Sequence, residues 1–375
     1  MRLVADSGLW SAGPVSEAPP LAAVLEVSGA VLSWTIDQPR EPGDSPHITF
    51  IDLPRAEWLW RVLGESGHVA LASAVGSADE PRSIDLAGVD ILPGSVGPLR
   101  RLAVGHWLRR WWPASRQDGI ASLDRALLDL EVAWLTAGAQ SFFADDTLDS
   151  DVVELLAPHA TALAAHAADG DPRVLDLVRA GADLAGELGV DGPDWPELYA
   201  ALDDSGAVLA APNGRRDDYA LAAGAGAGPR AAAPIARGVA SVNWGGVPPG
   251  IFDAGENTVD WTVEPAGSAV VRVAVIGPHA PTGVAVRLRS GAISGTGALD
   301  ADGRATLPLV DGQHHPLTES AAWDHDWSTT SVLVGAETTE SAETRERVRR
   351  WARARLDRPA DDAFLAEILA AESAY

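Results

Sequence analysis

The sequence predicts a multi-domain α+β protein: a β-rich amino-terminal domain over residues 1–117, an acidic helical domain over 118–204 and a carboxyl-terminal β-sandwich over 235–336. A linker over 205–234 precedes the sandwich, and two short helices over 337–375 follow it. Three observations lead there. A chain of 375 residues is longer than one hydrophobic core usually supports. The hydrophobic period becomes helical near residue 118 and alternates again after 235. The charge is also lopsided, because 118–204 holds nineteen acidic and three basic residues, a net of −16 in a chain whose total is −25.

In the first domain, the β-prone runs 21–27 and 31–36 flank Ser28-Gly29-Ala30 as a hairpin would. Further strands are expected at 47–53, 69–75 and 84–91, with a helix over 54–63, and seven of the fourteen tryptophans lie in this domain. In the second, Ile120, Leu123, Leu127, Leu130 and Trp134 recur at helical spacing, as do Val174, Leu177, Val178, Leu184 and Ala185. Four or five packed helices follow from this. Gly181 lies on the second apolar face and permits a close neighbour. Pro158 kinks or ends one helix, and Pro172 and Pro193 suit first turns. The linker carries Ala222-Ala223-Gly224-Ala225-Gly226-Ala227-Gly228-Pro229, a composition that buries little and predicts early proteolysis. After it come seven short runs, at 238–244, 258–263, 269–276, 283–289, 292–299, 304–310 and 328–334. Asp302-Gly303 joins two of them as a hairpin turn, and seven evenly spaced strands predict the sandwich.

The run Val284-Ala285-Val286-Arg287-Leu288-Arg289, with Gly295-Thr296-Gly297-Ala298-Leu299-Asp300-Ala301-Asp302-Gly303-Arg304-Ala305-Thr306-Leu307, resembles the strand–turn–strand of transthyretin-like and carboxypeptidase-regulatory-like domains. The resemblance covers about 25 residues within 283–310 and implies an immunoglobulin- or transthyretin-like sandwich. It implies no catalytic residue, because such domains are mostly structural or adhesive.

Composition excludes several classes of function. The chain has no cysteine, and all 28 basic residues are arginine, so thiolate metal sites, thiol nucleophiles, Schiff-base lysines and the P-loop lysine are absent. A net charge of −25 opposes nucleic-acid and anionic-membrane partners. No apolar run approaches the roughly 20 residues that span a bilayer. Met1-Arg2-Leu3-Val4-Ala5-Asp6 lacks the pattern of a signal peptide, so a cytoplasmic location is expected.

Five groups of residues could carry chemistry or binding. Gly226-Ala227-Gly228-Pro229-Arg230-Ala231 fits the dinucleotide-turn spacing, but it lacks the preceding strand and long following helix, so no cofactor is expected. His314, His315, Asp324, His325 and Asp326 combine imidazoles and carboxylates that suit a transition metal. An extended 322–328 would, however, put His325 and the aspartates on opposite faces. Asp145, Asp146, Asp149, Asp151 and Glu154 lack a calcium-loop glycine and read as the start of a helix, with Ser150 as its cap. Arg100, Arg101, His106, Trp107, Arg109, Arg110, Trp111, Trp112 and Arg116 interleave bases with aromatics, and we read them as an internal interface with the acidic helices. In a terminal helix over 363–371, capped by Asp361 or Asp362, Phe364, Leu365, Ile368 and Leu369 gather on one side, either for a partner's groove or for the chain's own body.

No G-x-S-x-G elbow is present, and Gly43-Asp44-Ser45-Pro46 reads as a turn. The expectation is a non-enzymatic scaffold or adaptor that binds protein partners. Its partner-binding candidates are Phe364, Leu365, Ile368, Leu369, Arg109, Arg110, Trp111 and Trp112. The alternatives are a metal-dependent hydrolase built on His314, His315 and His325, and a small-ligand-binding protein with a pocket lined by the amino-terminal tryptophans.

Overall fold

A computed structural model of the protein describes residues 1–38, 45–76, 83–144, 148–205 and 233–373. The expected linker therefore lies, apart from its ends, outside the described residues. In chain order the first strands are β1 (Arg2–Asp6), β2 (Leu9–Ala12), β3 (Ala22–Val27), β4 (Ala30–Thr35) and β5 (His47–Phe50). Helix α1 (Leu59–Gly76), strand β6 (Ser83–Asp85) and helix α2 (Gly97–Trp111) follow. Then come α3 (Arg125–Gly138), α4 (Leu148–Leu156), α5 (Ala160–Asp169), α6 (Pro172–Glu187) and α7 (Trp195–Ser205). The remaining strands are β7 (Ala236–Ala240), β8 (Val259–Glu264), β9 (Ser268–Val273), β10 (Ala285–Ser290), β11 (Ile293–Ala298) and β12 (Arg304–Val310). Helix α8 (Glu319–Asp324), strand β13 (Ser331–Val334) and helices α9 (Ala342–Asp357) and α10 (Leu365–Ser373) complete the chain. The protein is mixed α+β. No helix among the described residues is long and apolar enough to cross a membrane.

Two compact units emerge. Unit 1 contains Met1–Trp112, Ala121–Ser205 and Glu343–Tyr375, and unit 2 contains Pro113–Ile120 and Gly206–Ala342. The segments 1–117, 118–204 and 337–375, separate by composition, thus fall largely in one body. The reason is a shared interior. Phe364, fully buried, lies so close to Gly105 of α2 that a Cβ there would stand 2.8 Å from its ring. Trp351 of α9 meets Trp107 of α2 edge-to-face at 4.9 Å.

Unit 1 carries an antiparallel sheet in the order β3-β4-β5-β2-β1-β6. Strands β1 and β2 turn through Ser7 (φ 51) and Gly8 (φ 85), the two positive φ values of a type I′ turn. The expected hairpin is present, with Val27 opposite Ala30 and Ser28-Gly29 between them. The expected strand at 69–75 is instead part of α1. Leu63, Gly67 and Leu71, four residues apart, are its buried stripe, and this spacing outweighs the β-propensity of Val69 and Val75. Gly64 (φ 73) breaks the regular path of that helix. The expected strand at 84–91 shortens to β6.

The five helices α3 to α7 fall where the acidic segment predicts helices. Pro158 sits in a 3-10 turn, Ala157–His159, between α4 and α5. Asp171 caps α6 ahead of Pro172. Gly181 does admit a neighbour, because a Cβ there would meet Leu130 Cδ1 at 1.9 Å. Pro196, rather than Pro193, occupies the first turn of α7.

In unit 2 the order is β13-β10-β11-β12-β9-β8-β7, and each of the seven expected runs overlaps a strand, β7 beginning two residues before its run. The expected pair of stacked sheets is replaced by one continuous sheet. Strands β11 and β12 are joined by two registered pairs, Ser294 with Val310 and Gly295 with Leu309. Past the two outer strands, the Ala336 N–H donates to the Gly246 carbonyl at 2.8 Å, so the sheet nearly closes. Val259, Val263, Val271, Val286, Leu288 and Leu307 fill the interior.

Candidate functional site

In unit 1, helices α2 and α3 are tied together by charge. Arg109 Nε donates to Asp129 at 2.7 Å, Arg125 Nε donates to it at 2.9 Å, and His159 Nε2 lies 3.0 Å from its other oxygen. Burial pushes the Asp129 carboxyl up, but the hydrogen bonds from His159 and Arg109 and the charges of Arg109 and Arg125 outweigh it, so the group stays ionised below its ordinary range. Arg101 pairs with Glu131, and Leu365 N–H donates to the same carboxylate at 2.8 Å. Burial dominates there and raises Glu131. Arg101 and Arg109 of the basic–aromatic stretch therefore meet carboxylates of the acidic helices within the chain, whereas Arg100 pairs with Asp362.

Beside this network an open cleft of about 700 Å³ is lined by Val24 to Gly29 of the β3 hairpin, by Arg55, by His106 and Arg109 of α2, by Thr136 of α3, and by Phe143, Ala144 and residues of α4. Its polar groups differ in state. Burial, then the neighbouring Arg109 charge, lowers His106 to about 4 against a weaker opposing pull from Asp129, so the ring is neutral near pH 7. Arg109 already holds Asp129. Among the described residues, Glu26, Asp151 and Glu154 have no ion-pair partner, and neither does Arg55.

The other expected site residues lie elsewhere. The five metal candidates do not assemble, and among the described residues no group of three metal-capable side chains exists. His314 occupies a turn at φ 63, and His315 is exposed, 3.7 Å from Asp311. His325 lies 2.9 Å from Ser290 Oγ and stacks edge-on against Trp327. Residues 322–328 do not form an extended strand. Thr318 caps α8, which ends at Asp324, and Asp326 caps a 3-10 turn, Trp327–Thr329, by accepting from Ser328 N–H. Caps and turns thus use the residues that the spacing offered to a metal. Asp145 and Asp146, the 226–231 glycine turn and Gly43-Asp44 lie outside the described residues. Asp149 and Asp151 stand in the first turn of α4.

The partner-binding candidates are also used internally. Phe364 is fully buried, whereas Leu365, Ile368 and Leu369 are half-buried. Glu367, not named from the sequence, completes the helix start by accepting from Phe364 N–H at 2.9 Å while holding Arg355. Arg110 lies over the Trp111 ring at 4.3 Å, and Trp112 Nε1 donates to the Ala121 carbonyl at 2.8 Å. The cleft itself was missed from sequence. Its one signal is His106 and Arg109 at i,i+3 on a helix, a pair that also fits a solvated face.

No protein-family model, curated protein or solved structure matches this chain.

Proposed function

We propose that the protein is a non-enzymatic adaptor that holds a protein partner, with the cleft of unit 1 as its recognition surface. The observation that supports this most is the state of the cleft's polar groups. A His106 lowered to about 4 is a poor proton acceptor near neutral pH, because a general base works best with its pKa near the working pH. The carboxylate nearest that network, Asp129, is held by three donors and has no free role in proton transfer. The cleft instead offers a backbone edge, a neutral ring and unpaired carboxylates, which are recognition elements. A volume of about 700 Å³ also suits a small ligand. The tryptophan lining expected for such a pocket is, however, absent from its walls.

The test is quantitative capture. The immobilised full chain, exposed to lysate of the cells that make it, should retain one or a few proteins at near-equal molar yield, displaced by excess untagged chain. Retention without a stoichiometric, displaceable component would overturn the adaptor reading.

A further inference from the structure

We infer that the cleft takes an extended, arginine- or lysine-bearing segment of the partner as an added strand on β3. This rests on the adaptor reading and specifies what the partner presents.

Strand β3 is an edge of its sheet, with β4 on one side only. Its hairpin has a two-residue loop, so the closing pair Val27–Ala30 exchanges hydrogen bonds, and alternation along the ladder assigns the same to Leu25 and Ala23. The N–H and C=O groups of Val24 and Glu26 must then point away from β4. Ser28 belongs to the same outward set, and its N–H donates to the Phe142 carbonyl at 2.9 Å. A carbonyl from outside the sheet therefore already makes a first rung on that side. The next outward groups, at Glu26 and Val24, line the cleft, and among the described residues no backbone partner from outside the sheet meets them. An exposed edge of this kind is a template for another strand.

Charge complementarity selects the occupant. Glu26, Asp151 and Glu154 line the cleft without ion-pair partners among the described residues, against one such guanidinium, Arg55. Arg109 is held by Asp129, a carboxylate that it shares with Arg125, and His106 is neutral. In a chain of net charge −25, this edge repels an acidic strand and favours a basic one.

The experiment selects displayed linear peptides of about eight residues, an ordinary strand length, against the full chain. Binders should be rich in arginine or lysine and poor in proline. Synthetic winners should bind Val24→Pro about tenfold more weakly, the loss expected from one missing backbone hydrogen bond. Proline is tolerated where an edge-strand N–H faces outward, and circular dichroism checks that the sheet persists. If Val24→Pro fails to fold, the same contrast comes from winners N-methylated at alternate backbone nitrogens, of which one register should bind and the other should not. Glu26→Arg should weaken the basic winners further, and more so at low salt. Acidic or proline-rich winners, indifference to Val24→Pro and to both methylation registers, or no winner at all would overturn the inference. So would a concentration-dependent dimer that Val24→Pro abolishes, because the edge would then serve a second copy. Lysate capture that survives Val24→Pro would sink strand addition and leave the adaptor reading standing, whereas absence of stoichiometric capture removes that reading itself.

Discussion

The core of the nearly closed sheet in unit 2 is filled by valine, leucine, isoleucine, alanine, phenylalanine and tryptophan side chains, whereas unit 1 takes charge inside. Among the described residues, Asp129, Glu131, Arg345, Arg349, Arg355 and Glu367 are buried in unit 1, and Asp253 is the one buried charged residue of unit 2. Asp253 is met by the N–H groups of Arg116 and Gly255, at 2.9 Å and 2.8 Å, within its own unit. The difference follows from architecture. A curled antiparallel sheet satisfies its backbone internally and needs only alternating apolar residues to fill its centre. Unit 1 instead joins segments far apart in sequence, and Arg100–Asp362, Arg101–Glu131 and Arg347–Asp37 bind those segments to one another. Such pairs add little net stability over apolar packing, but breaking one leaves an uncompensated charge. They fix which surfaces meet, and the cleft depends on that register.

The sharpest way to break this comparison is at Glu367. Glu367→Ala should cost about 4 kcal/mol in urea unfolding, because the Arg355 guanidinium, 9% exposed, loses the carboxylate that holds two of its nitrogens. Replacing both partners, as Arg355→Met with Glu367→Leu, should recover much of that loss. A double variant no more stable than the single one would show that charge is not the cause. The counterpart in unit 2, Leu307→Ala, should cost about 3 kcal/mol from lost burial and the cavity left behind, with no partner able to rescue it.

A smaller effect is the pH response of unit 1, where two histidines act in opposite senses. The His106 ring stays neutral in the fold down to about 4, while the unfolded chain protonates below its ordinary 6.5. Stability therefore falls as pH drops through this window, by about 2 kcal/mol between pH 7 and pH 5 for this one group. His166 acts in the opposite sense. Its hydrogen bond to Asp124 raises it against a weaker desolvation effect, so its contribution is present at low pH and lost as pH rises through the raised value. The readout is the difference between the native chain and His106→Gln, whose stability should be flatter on the acid side. Parallel pH profiles for the two would remove His106 as a buried neutral ring.

The smallest expected change is Glu372→Gln, five residues beyond Glu367 on the same helix. Its carboxylate pairs with Arg173 at 2.7 Å, but both side chains are about half exposed. Solvent screens such a pair, and the melting temperature should not move. A clear drop would mean that exposure does not separate the two glutamates.

The sequence by itself determined the local elements whose periodicity is strong: the seven strands of unit 2, the hairpin at Ser28-Gly29, the break at Pro158 and the close approach at Gly181. Alternation, turn glycines and proline act over a few residues, so neighbours in sequence suffice to specify them. It also placed Arg101 and Arg109 opposite the acidic helices, because opposite charges in adjacent segments are near each other in the chain. Only the tertiary structure decided the rest. Val69 to Val75 became helix because Leu63, Gly67 and Leu71 had a core to face, and burial outweighs β-propensity. On α9 the i,i+4 spacing sets Glu343 before Arg347 and Glu346 before Arg350, yet neither pair forms. Arg347 reaches Asp37 at 2.8 Å, and Glu346 takes Arg349 and Arg353 instead. Asp324 and Asp326 became the end of a helix and the cap of a turn, so the spacing that suggested a metal dispersed. The cleft left only the His106–Arg109 spacing as a trace, because its walls come from residues 24–29, 55, 106, 109, 136, 143–144, 151 and 154–155. Which edge of a sheet stays open, and which carboxylates remain unpaired beside it, depends on contacts between segments tens of residues apart, and no local pattern records them.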